Sequence, residues 1–570
     1  MGGGSRPVGD TYATTWLSRD GTGSWLTICS TGNSVGRQKR PVGRNWYGVP
    51  ISTTKSPGTL VSLETTLSAL VGPETDPVAA GYRLKEIAAG DASSAKQVLL
   101  YFGEHLEALS ASDPAIIGTL LRVLHTQLAT DENAKSELAS VEPNLVSQID
   151  EALPENVSNR HLLLQLLTHT RSDEALVLLV NRLVERPLDD WMQVGQVLGP
   201  LMTHDDWNTD ALFPKILECI AEPSMASPML DLANYLYRSD RVDPHPAESM
   251  IGSLQELLGA VSRRLERFEE DPRSLGDDVP TVQKRLGEAV ALAVSLCDSL
   301  ASIGDPTSVG KLNQTVTLRH RRVQCEAAGA LAKLGDEDGR KRLIELADEP
   351  AARLRAIAYA DELGFGEEID EKLRSEESTA EAEMALWLTQ PHQMGVPPTR
   401  VEVAANRRML WPSFDDPVDV ILVRFEYDTG NGLYSNIGLT GPGVCALSCD
   451  LADMPIDDIY AIYAGWHAEH EDIFSVPAES QNEAQIRVME TFQQHLQHVG
   501  YEDLKPQLLG LFLDERAGVF SATREGTTCL VVTDGLETID QATAGRHRPL
   551  GPEDIFNLYK GRKMLRTFNS

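Results

Sequence analysis

Apolar residues recur at three- and four-residue spacing from about position 60 to 390, and no strand-type alternation interrupts them. DPVAAGYRLKEIAAG starts on Asp76 as N-cap, places Pro77 at the first helical position and ends on Gly90. The Asp-Pro start returns at Asp113, in DPAIIGTLLRVLHTQLA. NRHLLLQLLTHT and DEALVLLVNRLVERP form a pair split at Arg171-Ser172. Further periodic segments lie at 190–202, 211–221, 228–237 and 247–268, joined by short links marked by Pro, Asp or Asn. Consecutive helices with short links pack antiparallel, so this region is predicted to be a series of helical hairpins.

One stretch of it repeats. Leu300-Ala-Ser-Ile303-Gly304-Asp305 becomes Leu331-Ala-Lys-Leu334-Gly335-Asp336 after 31 residues, and Glu362-Leu-Gly-Phe365-Gly366-Glu367 after 31 more. The helix leading in keeps register at Leu292, Val323 and Leu354, and at Cys297, Ala328 and Tyr359; the helix leading out keeps it at Leu312 and Leu343. A fixed period of this size marks stacked helix pairs. Small residues let two helices approach, a glycine takes the left-handed cap, and the acid after it caps the next helix. Residues 290–375 resemble HEAT repeats of the short type found in the phycobilisome-lyase-like family, through Val323, Ala327, Ala328, Ala330, Leu331, Leu334, Gly335 and Asp336. The resemblance implies an Asp in the turn and an Arg after the Val that pair along the stack. Asp348 and Arg355 fit this in the last repeat; Thr317 and Gln324 replace them in the middle one, and Ala293 replaces the Arg in the first. It implies a scaffold, because the repeat itself carries no catalytic motif.

From about 400 the pattern changes class. LTQPHQMGVPPT (388–399) reads as a boundary, and VDVILVRFEY (418–427) as a strand turning at DTGNG (428–432) into LYSNIGLTGPGVCAL. A second β-rich set, LLGLFLDERAGVFSATREGTTCLVVTDG (508–535), follows a helix in PIDDIYAIYAGWHAEHEDIF and another at 483–499. Asp458-Ile-Tyr-Ala-Ile-Tyr-Ala-Gly465 is echoed by Asp554-Ile-Phe-Asn-Leu-Tyr-Lys-Gly561, each after a β-rich stretch, which reads as an internal duplication. The expected fold is therefore mainly α, a HEAT-like α-solenoid of helical hairpins over 59–390, then a linker at 391–399 and a smaller α+β domain over 400–570. Residues 1–58, rich in Gly, Ser, Thr, Arg and Trp and basic in GRQKRPVGR, are expected to be a disordered tail or a stretch outside the true protein.

Charge then narrows the function classes. A net charge of −33 disfavours phosphate backbones and anionic membranes. Seven scattered cysteines make no disulfide framework, no apolar run is long enough to span a bilayer, and no signal peptide is readable, so the expected location is the cytoplasm. Within this acidic chain Arg319, Arg321, Arg322 and Arg353 form a basic spot; Arg322 and Arg353 are equivalent in the 31-residue register. They are the expected docking residues for a protein partner with an acidic segment.

The catalytic alternatives lie after 400. Trp466-His467-Ala-Glu469-His470-Glu471-Asp472 offers two histidines at helical spacing as a metal pair, without a third ligand fixed by spacing. Cys445 and Cys449 lack a second Cys/His pair for zinc, and a nucleophilic thiol needs a His that spacing does not place. GLTGPG (438–443) lacks the Lys of a phosphate loop. Tyr434, Asn436 and Cys449 are the candidate lining of a small-molecule pocket. The expected function is a non-catalytic interaction scaffold without cofactor; the alternative is an enzyme or small-molecule sensor with its site in 400–570.

Overall fold

The structure, a computed structural model, describes residues 63–569 apart from 74–76, 130–134, 391–392, 429 and 431. The expectation for 1–58 and the cap at Asp76 lie outside the described residues. The fold is mainly α, followed by α+β.

Capping follows the sequence. The Asp113 carboxylate accepts from the Ala115 N–H, Asp305 from Thr307, and Asp336 from Asp338 and Gly339. Gly304 and Gly335 take left-handed φ values of 77° and 82° where their helices end. In the third repeat that role passes to Gly364, at φ 80°, because the helix ends at Glu362 and Leu363 caps it. Gly366 opens a 3-10 turn instead.

Helices Pro223–Arg238, Val279–Ile303, Arg321–Lys333, Pro350–Glu362 and Glu376–Thr389 each pack on the next in a solenoid-like row. Ile251–Glu270, Val309–Thr315 and Glu337–Ala347 alternate with them in sequence and pack against them. Val279–Ile303, with a mean hydropathy of 1.6 over its most apolar window, is long and apolar enough to cross a membrane by composition, contrary to the expectation from apolar run length. Half of that window is buried, and its Ala293, Leu296 and Leu300 belong to the helical core.

The C-terminal part holds two antiparallel sheets. The first has β1 (Arg400–Met409), β2 (Val418–Asp428) and β3 (Leu433–Thr440) in that order. The second runs β4 (Ile473–Pro477), β5 (Glu502–Phe512), β6 (Glu515–Arg524), β7 (Thr527–Thr533) and β8 (Thr538–Ala542). Strand β2 is buried on both faces, which explains its unbroken apolar run. Val420 and Leu422 face helix Ile456–His467, whereas Ile421, Val423, Phe425 and Tyr427 pack on Ala380, Met384 and Leu388 of helix Glu376–Thr389. Gly438 on β3 leaves room for Met384, whose Cε lies 2.4 Å from where a Cβ would stand. The second sheet is covered likewise by Met489, Phe492 and Leu496 of helix Glu483–His498.

The echo at 458 and 554 corresponds to a symmetric contact. Helices Ile456–His467 and Pro552–Phe568 pack together between the sheets. A Cβ on Gly465 would meet the Asn557 carbonyl oxygen at 2.0 Å, and one on Gly561 would meet that of Ala461 at 1.7 Å. The offset 554 − 458 = 96 carries 465 to 561 and 461 to 557, so each contact is the image of the other. That reciprocity defines a two-fold interface, here within one chain. The same offset carries β2 onto β6 and overlaps β3 with β7. Both halves contain a helix, a three-stranded antiparallel meander and a second helix, and the second half adds β4 and β8 to its sheet. The first helix of the first half is Glu376–Thr389, the last helix of the solenoid-like row.

Candidate functional site

The four expected docking arginines separate. Arg353 is buried, and its guanidinium donates to the carbonyls of Ala347, Ser378 and Asp348 and pairs with Glu381 at 3.1 Å. It joins helix Pro350–Glu362 to helix Glu376–Thr389 and is not a surface neighbour of Arg322, the reverse of the expectation from repeat register. Register aligned the backbones, but the carbonyls at the preceding helix end supply an internal socket only to Arg353. Arg321 is half-buried against Glu349 at 3.2 Å and Gln324 at 2.9 Å. Arg319 and Arg322 are exposed. No ion pair or hydrogen bond to the Arg322 side chain occurs among the described residues; its field favours the charged forms of Asp231 and Glu326, though burial outweighs it at Asp231.

Beside Arg322 runs a polar seam between successive helices. Glu326 receives Arg355 at 2.9 and 3.1 Å and the Tyr359 hydroxyl at 2.5 Å. Burial alone would raise this carboxyl; Arg355 and Tyr359 hold it below the usual range. The Tyr359 ring sits where a Cβ of Gly329 would be, 2.5 Å away, so the mid-helix glycine is what seats it. Arg355 therefore pairs with Glu326 of the preceding helix in the row, a glutamate within a helix and not the turn Asp of the ladder that the HEAT resemblance implies. Further along, Asp231 accepts from Ser295 at 2.6 Å, Asn234 from Ser299 at 2.8 Å, and Arg238 pairs with Asp298. Burial raises Asp231 to about 6. This seam was missed in the sequence. Its readable trace was the substitution of polar for apolar residues on inward helix positions, at buried Glu326 and half-buried Asp231.

In the α+β part, Asn436 is fully buried and forms a clasp. Its amide donates to the carbonyls of Leu447 at 3.1 Å and Cys449 at 3.0 Å, and its oxygen accepts from the N–H groups of Leu451 and Ile437, each at 2.9 Å. Tyr463 adds a bond to the Ile437 carbonyl and one from the Leu447 N–H. Tyr434 stacks on Tyr427 with ring centroids 6.5 Å apart. Tyr434, Asn436 and Cys449 are thus brought together, but Asn436 spends its bonds holding the 444–451 loop onto β3.

The structure places Cys445 beside a histidine that spacing could not assign: Sγ lies 3.9 Å from Nε2 of His467. The chemistry of the pair is set by Trp411, whose indole N–H donates to His467 Nδ1 at 2.8 Å. With Nδ1 used as acceptor, neutral His467 carries its proton on Nε2 and cannot take one from the thiol. Burial pushes both Cys445 and Cys449 up to about 12. At neutral pH that leaves on the order of one thiolate in 10⁵. His467 ends its helix, and His470 lies beyond it in an exposed turn, its Nδ1 accepting from the Asp472 N–H at 3.2 Å. The two histidines consequently share no helix face. Among the described residues no group of three or more His, Cys, Asp or Glu side chains is gathered for a metal ion.

No family model matches this sequence, and no curated protein matches it. A solved structure described as lipid–protein interactions in lipovitellin is similar at 13% identity and a TM-score of 0.27, over 78% of this chain and 50% of that one. The chain spans half the length of that protein, and a similarity of this size carries no argument about ligand or partner.

Proposed function

We propose that this chain is a non-catalytic protein–protein interaction scaffold, built from a HEAT-like helical row and a duplicated α+β module. The observation that carries the reading is the difference among the arginines. Arg321, Arg353 and Arg355 are each matched to an acid within the fold, whereas Arg322, like Arg319 three residues before it in sequence, is exposed and has no ion pair among the described residues. On a chain of net charge −33, two exposed guanidiniums without an ion pair among the described residues give an acidic partner segment a place to attach. The unactivated thiols of Cys445 and Cys449 support the same reading. The test is purification of bound proteins on wild type and on Arg319→Glu with Arg322→Glu, at low and high salt. The proposal expects one stoichiometric partner, released by the double substitution and by salt; equal retention by both proteins at both salt concentrations refutes it.

A further inference from the structure

Where the helical row meets the first sheet there is a cleft of about 220 Å³ between the first turns of helix Glu376–Thr389 and the ends of β2 and β3. Its charged walls are mostly matched within the fold. Arg374 forks onto Asp361 at 2.6 and 3.0 Å, and Asp419 pairs with Arg408 at 2.7 Å. The helix start is capped by Ser375, which accepts from the Ser378 N–H at 3.2 Å. An anion entering here therefore finds no available guanidinium, and two carboxyl groups face it.

Those two are Glu376 and Glu383. No hydrogen bond or ion pair to either occurs among the described residues, and Glu383 is desolvated enough that burial, with no opposing charge, raises its pKa. A second, independent feature points into the same space. Thr440, the last residue of β3, is fully buried, lines the cleft, and its hydroxyl has no hydrogen-bond partner. A buried polar group without a partner costs about 1–3 kcal/mol and is uncommon in folded proteins. Ala380 and Ile421 supply an apolar wall between these polar groups.

We infer that this cleft binds a primary ammonium group on a short alkyl stem, with Glu383 and Thr440 as its acceptors. An ammonium has three donors and needs only acceptors. It satisfies the Thr440 oxygen and the Glu383 carboxylate together, Glu376 balances the entrance, and the stem lies on Ala380 and Ile421. A divalent cation is served less well, since calcium takes six to eight oxygen ligands. The ammonium could belong to a small free amine or to a lysine side chain of a partner; both offer the same group. The inference does not depend on Arg319 or Arg322.

The experiment is calorimetric titration of the full chain with n-butylammonium chloride and, separately, with a blocked Gly-Gly-Lys-Gly-Gly peptide. Glu383→Gln and Thr440→Val are the variants, both close in shape to the originals. Wild type is expected to bind butylammonium, Glu383→Gln to bind it at least tenfold more weakly, and Thr440→Val several-fold more weakly. Tighter binding of the peptide assigns the ammonium to a protein lysine; binding of the amine alone assigns it to a small molecule. The inference is overturned if wild type and Glu383→Gln bind butylammonium equally, if wild type shows no binding at about 10 mM, or if calcium binds at these residues in preference. Glu383→Gln removes an unmatched charge, so its unfolding midpoint should not fall; should it fail to fold, Thr440→Val alone decides.

Discussion

Gly329 shows how much one absent methyl group decides. The Tyr359 ring fills the space above it and carries its hydroxyl to Glu326. Gly329→Ala forces that ring aside and is expected to destabilise the protein by about 1–3 kcal/mol in urea unfolding, despite the better helix propensity of alanine. Asn436→Ala should cost more, about 3 kcal/mol or above, because it strands two carbonyls and two N–H groups under the 444–451 loop. The buried histidines set a pH dependence. His161 and His245 are both held at about 4 by burial. Their folded pKa lies below the unfolded value, so the stability they contribute is present above about 6.5 and is lost as pH falls toward 4. By pH 5 the loss is on the order of 2 kcal/mol each. Asp231, raised to about 6, acts oppositely and offsets part of it. Urea midpoints should therefore drop from pH 7 to pH 5, and Asp231→Asn should make the drop steeper; a flat profile would contradict the burial of these groups.

At the scale of elements, helix Glu376–Thr389 belongs to two structures at once. It packs on helix Pro350–Glu362 and covers the outer face of β2. The Pro-rich stretch at 388–399 marks the chain's change of class, but the apolar contact crosses it. A fragment of residues 375–570 is accordingly expected to unfold in one cooperative transition. A fragment of 400–570 exposes Ile421, Val423, Phe425 and Tyr427, and should bind a hydrophobic dye and melt at lower temperature; equal melting of the two fragments would separate the helix from the domain. The crossing of the two central helices is less forgiving than the seat of Tyr359. Gly561→Ala brings its methyl against the Ala461 backbone, which has no rotamer to change, so it should destabilise more than Gly329→Ala does. Helix hairpins, the 31-residue period and the echo were legible because each leaves a recurring mark, and β2, β3, β6 and β7 because of their β-prone runs, whereas β1, β4 and β8 were not read. The placement of Glu376–Thr389 was not, since its two buried faces leave it with no amphipathic stripe to read.

For the whole molecule, the fold class followed from sequence and the chemistry did not. Spacing identified Arg319, Arg321, Arg322 and Arg353 as one group, but which guanidiniums are matched depends on carbonyls and acids that approach from other helices. The same holds for Cys445, whose neighbour His467 is set by a Trp411 hydrogen bond across 56 residues of sequence. The proposed docking place rests on the exposed guanidiniums of Arg319 and Arg322, and attraction to such charges is screened by salt within about 8–10 Å. The most direct measurement is the fluorescence anisotropy of a labelled oligo-glutamate peptide titrated with wild type and with Arg319→Glu plus Arg322→Glu. The account predicts saturable binding to wild type that weakens at least tenfold in the double variant and falls steeply with salt. No binding to wild type, or binding that neither the substitutions nor salt alter, would contradict it.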